Sequence, residues 1–456
     1  MYWANLLHIY QPPTQKAHWI ERIARESYSK IFSGLKNIPQ AKLTLNINAI
    51  LTELLIKHGW NSIIDDIREL AERGQIEFSA SAKYHPFLPL LPEREIIRQI
   101  ELNNKTNKKI FGKVYAPVGF FPTEMGLNNK VVKIAAKMGY EWIIAAELAY
   151  PKATSPDITT IYHHDTYKDL LVYFRNKDIS FKLLSAEVGV AAETAAQLTR
   201  VFGELFKKEG YFITAIDGET FGHHRPGLEE LLFDLYKSDA LDPVTIGELK
   251  NLFSKRAPIS PRDSTWALLK KDLENKTPFS RWFNKKNEIQ VKQWELTNLV
   301  LLLIKKYPQK KPRILLDRAL HSDQYWWSSA QPWWSIEMIE AGAKDFINTV
   351  EAFKNIPIKY KRRAQKLYQE ILFTAFEWQR GDKIAKLAKE SDEDITQRIS
   401  KEKPYIPLKE FNSIVDNLDR QMLIAAGAKE YERASQLRDR IKELNENKAT
   451  LTKKKK

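Results

Sequence analysis

Seven short apolar runs punctuate the first 250 or so residues, and amphipathic segments separate them. The runs are Trp3–Ile9, Leu43–Ile47, Ile76–Ala80, Ala116–Phe121, Trp142–Ala146, Leu171–Phe174 and Phe212–Ile216. Helical spacing fills the intervals, as in Arg94–Lys108, Asn129–Lys137 and Ala191–Lys208. Strands that alternate with helices pair in parallel, because each helix carries the chain back in a right-handed crossover. Seven such units predict an α/β fold with a closed barrel rather than an open sheet. Nearly every run has a polar residue in it or just after it: His8 and Gln11, Asn46 and Asn48, Glu77, Glu124, Glu147, Arg175 and Asp217. The carboxyl ends of parallel strands are where such folds build their sites.

From about Leu249 the pattern changes. Long helical segments follow, such as Gln290–Tyr307 and Ser335–Phe353, separated by proline-containing breaks. The expected division is a barrel over 1–250, a helical domain over 251–400, a helical hairpin over 407–448 and a basic tail over 449–456. Within the hairpin, Leu418–Glu446 has helical spacing with a turn at Gly427.

Composition narrows the function classes. Zero cysteines exclude disulfides and thiolate metal sites. No apolar run reaches the roughly 18 residues a membrane span needs. The start MYWANLLHIYQPP lacks the basic stretch and cleavage site of a signal peptide, which favours the cytoplasm. A formal charge of +15 suits an anionic partner, but 57 acidic residues are interspersed and no nucleic-acid-binding signature accompanies the lysines. A nucleic-acid partner is therefore not expected.

Two stretches concentrate reactive groups. In VGFFPTEMGLN, Glu124 follows an apolar run at a strand end. In AIDGETFGHH, Asp217 ends the seventh run, Glu219 shares its face if the strand continues, and only one of His223 and His224 can face the same way. Two carboxylates from separate strands fit glycoside hydrolysis, where one attacks or activates water and the other protonates the leaving oxygen. Asp217 with His223 and His224 also resembles the ligand set of a metal-dependent polysaccharide deacetylase, although adjacent histidines are an unusual spacing for it. A third reading is a carbohydrate-binding or scaffolding protein without catalysis. The stretch HSDQYWWSSAQPWW places Asp323 beside Trp326 and Trp327, an acid and aromatic platforms suited to a sugar ring.

Together these residues resemble glycoside hydrolase family 57, whose members are retaining enzymes acting mainly on α-glucans. Five motifs carry the resemblance over residues 1–350: His8-Ile9-Tyr10-Gln11-Pro12, Gly74-Gln75-Ile76-Glu77, the segment ending in Glu124, Asp217-Gly218-Glu219-Thr220-Phe221-Gly222, and Ser322-Asp323-Gln324-Tyr325-Trp326-Trp327. The resemblance implies an incomplete seven-stranded barrel followed by a helical domain, with Glu124 as nucleophile and Asp217 as acid/base. It implies an α-glucan or maltooligosaccharide substrate and no metal or organic cofactor. His8, Gln11, Glu77, Arg175, Glu219, His223, Asp323, Trp326 and Trp327 are the expected substrate-binding residues. Tyr10 stands where the family has a histidine, and Phe-Pro-Thr-Glu replaces a tryptophan-containing third motif. The C-terminal hairpin resembles the UVR motif through Met422, Ala425-Ala426, Tyr431-Glu432, Ala434 and Leu437-Arg438-Asp439. That resemblance implies a protein partner at 407–448.

Overall fold

The structure is a computed structural model that describes residues 1–177, 179–180, 209–225, 227–331, 333–389, 408–427 and 431–451. The expected helix Ala191–Lys208 lies outside the described residues, as does most of the basic tail.

One ten-stranded sheet organises the fold. Its strands are β1 (Tyr2–Ile9), β2 (Leu43–Ile47), β3 (Ile76–Ala80), β4 (Gly119–Phe120), β5 (Trp142–Ala145), β6 (Ile161–His164), β7 (Leu171–Phe174), β8 (Tyr211–Asp217), β9 (Asp242–Val244) and β10 (Arg256–Ile259). The order is β10-β6-β7-β5-β4-β3-β2-β1-β8, with β9 also paired to β1. The seven expected strands form the consecutive parallel arc β7-β5-β4-β3-β2-β1-β8. The two ends of this arc are joined by the Asn176 backbone N–H donating to the Ile213 carbonyl at 2.7 Å. The barrel is thus incomplete, with a seam between β7 and β8.

Three strands depart from the sequence expectation. β6 runs antiparallel to β7, and β10 extends the sheet from β6. β6, β9 and β10 read IYHH, DPV and RAPI. Their histidines, prolines and charges mask any apolar run, and proline suits strands at a sheet margin. β4 is shorter than Ala116–Phe121, since Pro117 has no N–H for the ladder. Because β10 lies at 256–259, the sheet continues past the expected boundary at residue 250.

Side chains sort by face. Leu6, Phe121, Trp142, Ile144, Tyr173, Ile213 and Ala215 fill the barrel interior. Outside it, a second cluster beneath the early helices includes Leu7, Leu45, Ile64 and Leu232. A third joins Phe120 and Ile143 to Leu296, Leu316 and Phe346, so barrel and helical region share one continuous core. Helices Glu288–Lys306, Lys310–Ala319, Ile336–Glu351 and Ile358–Arg380 build that region. Ion pairs tie it to the barrel helix Glu93–Phe111: Arg98 to Asp317 at 2.6 Å and Arg313 to Glu95 at 2.8 Å, with both acids buried. Such pairs fix register, since breaking one would leave a buried charge uncompensated.

Helices Leu408–Gly427 and Tyr431–Leu451 form the hairpin, around Phe411, Leu418, Ala425, Leu437 and Leu444. Met422 and Ala434 pack against this small core, whereas Tyr431 is 68% exposed. Among the described residues, no helix is long and apolar enough to cross a membrane.

Candidate active site

Register brings the reactive residues to one end of the barrel. His8 on β1 lies level with Asn46 on β2 and with Asp217 on β8. Asp217 is the last residue of β8 and is reachable by solvent, unlike the six residues before it. The walls around it still strip away most water. Burial, and then the nearby Glu219 carboxylate, push its carboxyl up to about 7, against an opposing pull from Arg175.

Glu124 enters from a turn after β4. Its backbone is left-handed, with φ 60° and ψ 18°, and Met125 follows at φ 48°. Two successive non-glycine residues in this region store strain that surrounding contacts must impose. Trp266 imposes much of it: its backbone N–H donates to the Glu124 carbonyl at 3.2 Å, and its indole N–H donates to Glu124 Oε2 at 2.7 Å. The other oxygen, Oε1, lies 3.5 Å from the Ser322 hydroxyl and 3.7 Å from His85 Nδ1. Burial, and then the Asp217 charge, push the Glu124 carboxyl up to about 8. The Asp217 charge thus bears on Glu124, whereas Asp217 itself answers to burial, Glu219 and Arg175.

Around Glu124 the rings are stacked. Tyr10 lies on His85 with centroids 4.0 Å apart and planes at 15°, and His8 packs against both His85 and Phe121. Burial lowers His8 to about 4, so it is neutral, and its Nδ1 meets Asn46 Oδ1 at 2.7 Å. The Tyr10 hydroxyl donates to Asp323 Oδ2 at 2.7 Å, and His321 Nδ1 reaches the same oxygen at 2.9 Å. Despite its burial, Asp323 is held below the usual carboxylate range by His321 and His85.

Other expected residues act on their neighbours. Glu219 is buried and accepts from the Tyr10 backbone N–H at 3.2 Å, from Gln11 Nε2 at 3.1 Å and from the Tyr28 hydroxyl. Gln11 is committed to the same cluster. His223 Nδ1 pairs with Glu26 Oε2 at 2.7 Å. Tyr28 and Glu26 both come from a π-helical turn, Ala24–Tyr28, whose Ser27 also donates to the Gly218 carbonyl at 3.0 Å. Widened turns of this kind recur at functional sites. Here it braces the loop after β8. Arg175 pairs with Glu147 at 3.2 Å and faces Asp217 electrostatically.

Glu77 does not join the group. It is level with Thr44, which is level with Leu6, two residues below His8 on β1. That step is about 7 Å towards the closed end of the barrel. There Glu77 accepts from Thr44 Oγ1 at 3.1 Å and from the Gly247 N–H at 3.0 Å, so it staples β2 and β3 to the turn before the helical region. The two tryptophans diverge as well. Trp326 packs on Trp282 at 5.1 Å against the core, while Trp327 meets the half-exposed Trp333 edge-on.

His85 and Trp266 lie beside Glu124 but were not singled out from sequence, whereas Tyr10 and Ser322 stood in the quoted motifs without a contact assigned to them. Each acts through a partner more than 70 positions away, and local spacing carries no trace of such contacts. Asp217, His223 and His224 do not converge: among the described residues, no three His, Asp or Glu side chains are grouped to hold a metal ion.

Comparisons with known proteins bear on the family and the fold. The model of glycosyl hydrolase family 57 matches residues 2–242, and that of the UvrB/uvrC motif matches residues 412–447. An α-amylase of Pyrococcus horikoshii is 25% identical over 231 residues, 50% of this chain and 35% of that protein. A 4-α-glucanotransferase of Thermococcus litoralis is 23% identical over 263 residues, 54% of this chain and 37% of its own length. The chain therefore spans little more than a third of these curated relatives. The crystal structure of the Thermococcus litoralis glucanotransferase superposes with a TM-score of 0.62 at 17% identity, covering 78% of this chain and 59% of that one. A family 57-type branching enzyme from Pyrococcus horikoshii gives 0.61 at 14% identity, covering 82% and 96%. At these identities the superpositions speak for the fold.

Proposed function

The chain belongs to glycosyl hydrolase family 57, and from that premise we propose that it cleaves or transfers α-glucan chains with retention of configuration. The observation that supports this best is the pair Glu124 and Asp217, set just after β4 and at the end of β8, with the Asp217 charge acting on Glu124. Glu124 attacks the anomeric carbon as the bond to the leaving oxygen breaks, and Asp217 gives that oxygen its proton. In the second half, Asp217 takes a proton from water or from an acceptor hydroxyl, which displaces Glu124. Water gives hydrolysis and a sugar hydroxyl gives transfer. Trp327 and Trp333 offer apolar faces to neighbouring sugar rings.

Incubation with maltooligosaccharides tests the reading. Shorter products alone mean hydrolysis, a ladder of longer and shorter products means transfer, and an unchanged substrate sinks the proposal. A deacetylase would instead release acetate and lose activity to a chelator.

Rate should also depend on pH as a bell. The pair must hold one proton, on Asp217, while Glu124 is ionised. As pH falls, the second proton neutralises the nucleophile; as pH rises, the acid is lost. Burial pushes Asp217 up to about 7 and Glu124 up to about 8, so between those values the one proton rests mainly on Glu124 and the active form, with the proton on Asp217, is the minor one; the optimum is still expected near that interval and not near the ordinary carboxylate range. An acid limb near pH 4 in kcat/KM would contradict this.

A further inference from the structure

Resting on the assignment of Glu124 as nucleophile, we propose that Ser322 and His85 are positioning residues for it, with Ser322 holding Oε1 and His85 fixing the direction of the Ser322 hydroxyl.

The two residues come from opposite sides of the interface between barrel and helical region. His85 follows β3, and Ser322 precedes the helix Asp323–Trp327. Backbone contacts lock them together: the Ser322 N–H donates to the His85 carbonyl at 2.9 Å, and Pro86 bridges to His321. Thr123, next to Glu124, donates its hydroxyl to the Pro86 carbonyl. The turn bearing Glu124 and the loop bearing His85 therefore move as one body. His85 is itself left-handed, with φ 53°, and it is sandwiched between Tyr10 and His8. Both His85 and Ser322 are almost fully buried.

Hydrogen accounting assigns the directions. Ser322 has one hydroxyl proton and two neighbours, Glu124 Oε1 at 3.5 Å and His85 Nδ1 at 3.0 Å. With Glu124 ionised, as a nucleophile must be, its carboxylate can only accept, so the hydroxyl proton goes to Glu124 and Nδ1–H of neutral His85 donates to the Ser322 oxygen. Burial keeps His85 neutral. Nε2, which is buried and without a partner in the structure, is then the unprotonated nitrogen. Oε2 is already held by Trp266. Ser322 completes a two-point grip that fixes the plane of the carboxylate. At 3.5 Å its hold is long, as catalytic hydrogen bonds often are before substrate binds.

The titratable and charged groups facing Glu124 are Asp217, Asp323, His85 and Tyr10. Ser322→Ala leaves all four in place and removes one donor to the ionised form. We expect kcat to fall about tenfold with KM changed less than about twofold. The pH–rate bell should also move to higher pH, because the carboxylate loses a hydrogen bond that favours its charge. Ser322→Thr, which keeps the hydroxyl, should restore both. Wild-type kcat and pH profile in Ser322→Ala would overturn the proposal, as would a loss that Thr does not restore and that leaves the profile unmoved. If Glu124→Gln also turns over normally, the nucleophile assignment has failed; if only Glu124→Gln is inactive, the assignment stands and the positioning role does not.

Discussion

Glu124→Gln should lose turnover on maltooligosaccharides by about 10³-fold or more, and Asp217→Asn by about 10²–10⁴-fold. The two losses should separate on an activated substrate such as an α-glycosyl fluoride. Fluoride leaves without a proton, so Asp217→Asn regains the first half-reaction while Glu124→Gln does not. Azide extends the distinction. With Asp217→Ala it should capture the glycosyl-enzyme and give a product of retained configuration. With Glu124→Ala it should enter the vacated space and give the inverted one. Rates within tenfold of wild type for either amide variant would remove that residue from its role.

The same substitution should leave the fold intact, and stability gives the control. Burial raises the Glu124 carboxyl in the folded chain above its unfolded value. The native state therefore loses stability as pH rises from the ordinary carboxylate range through about 8, and above that the full cost persists. A neutral Gln carries no such cost. Glu124→Gln should thus unfold at a higher temperature than wild type at pH 9 and show little advantage at pH 4. A lower unfolding temperature at pH 9 would mean that its inactivity reflects misfolding.

Gly222→Ala should be the most disruptive single change near the site. Gly222 has φ +102°, a conformation that costs any L side chain dearly. An added Cβ would also lie 2.0 Å from the Glu26 carbonyl oxygen. Neither atom belongs to a flexible side chain, so the loop after β8 or the π-helical turn must move. A destabilisation on the order of 3 kcal/mol or more is expected, visible as a fall of several degrees in the unfolding temperature. Because the π-helical turn holds Glu219 through Tyr28 and His223 through Glu26, activity should fall with it. A wild-type unfolding temperature would show that the contact between these loops is loose.

AIDGETFGHH illustrates how far the chain could be read. Periodicity gave the strand that ends at Asp217, and the strand's end gave the acid its place at the rim. Which acid stands free of partners was not legible in the sequence. Glu219 is occupied by three donors and Asp217 stands open, a difference made by Tyr10, Gln11 and Tyr28, each about 190 or more positions away. Glu77 shows the limit from the other side. Alternation correctly gives its inward face, but height within a barrel depends on register between strands, and register placed it a level below His8.

The sequence by itself determined the seven parallel strands, the helical region after them and the two carboxylates, because side-chain period and strand ends are local properties of the chain. Tertiary structure alone decided the antiparallel β6, the contacts of Trp266 and Ser322 with Glu124, and the burial that raises both carboxyls. Those depend on burial and on contacts between distant segments, and neither quantity exists until the chain has folded.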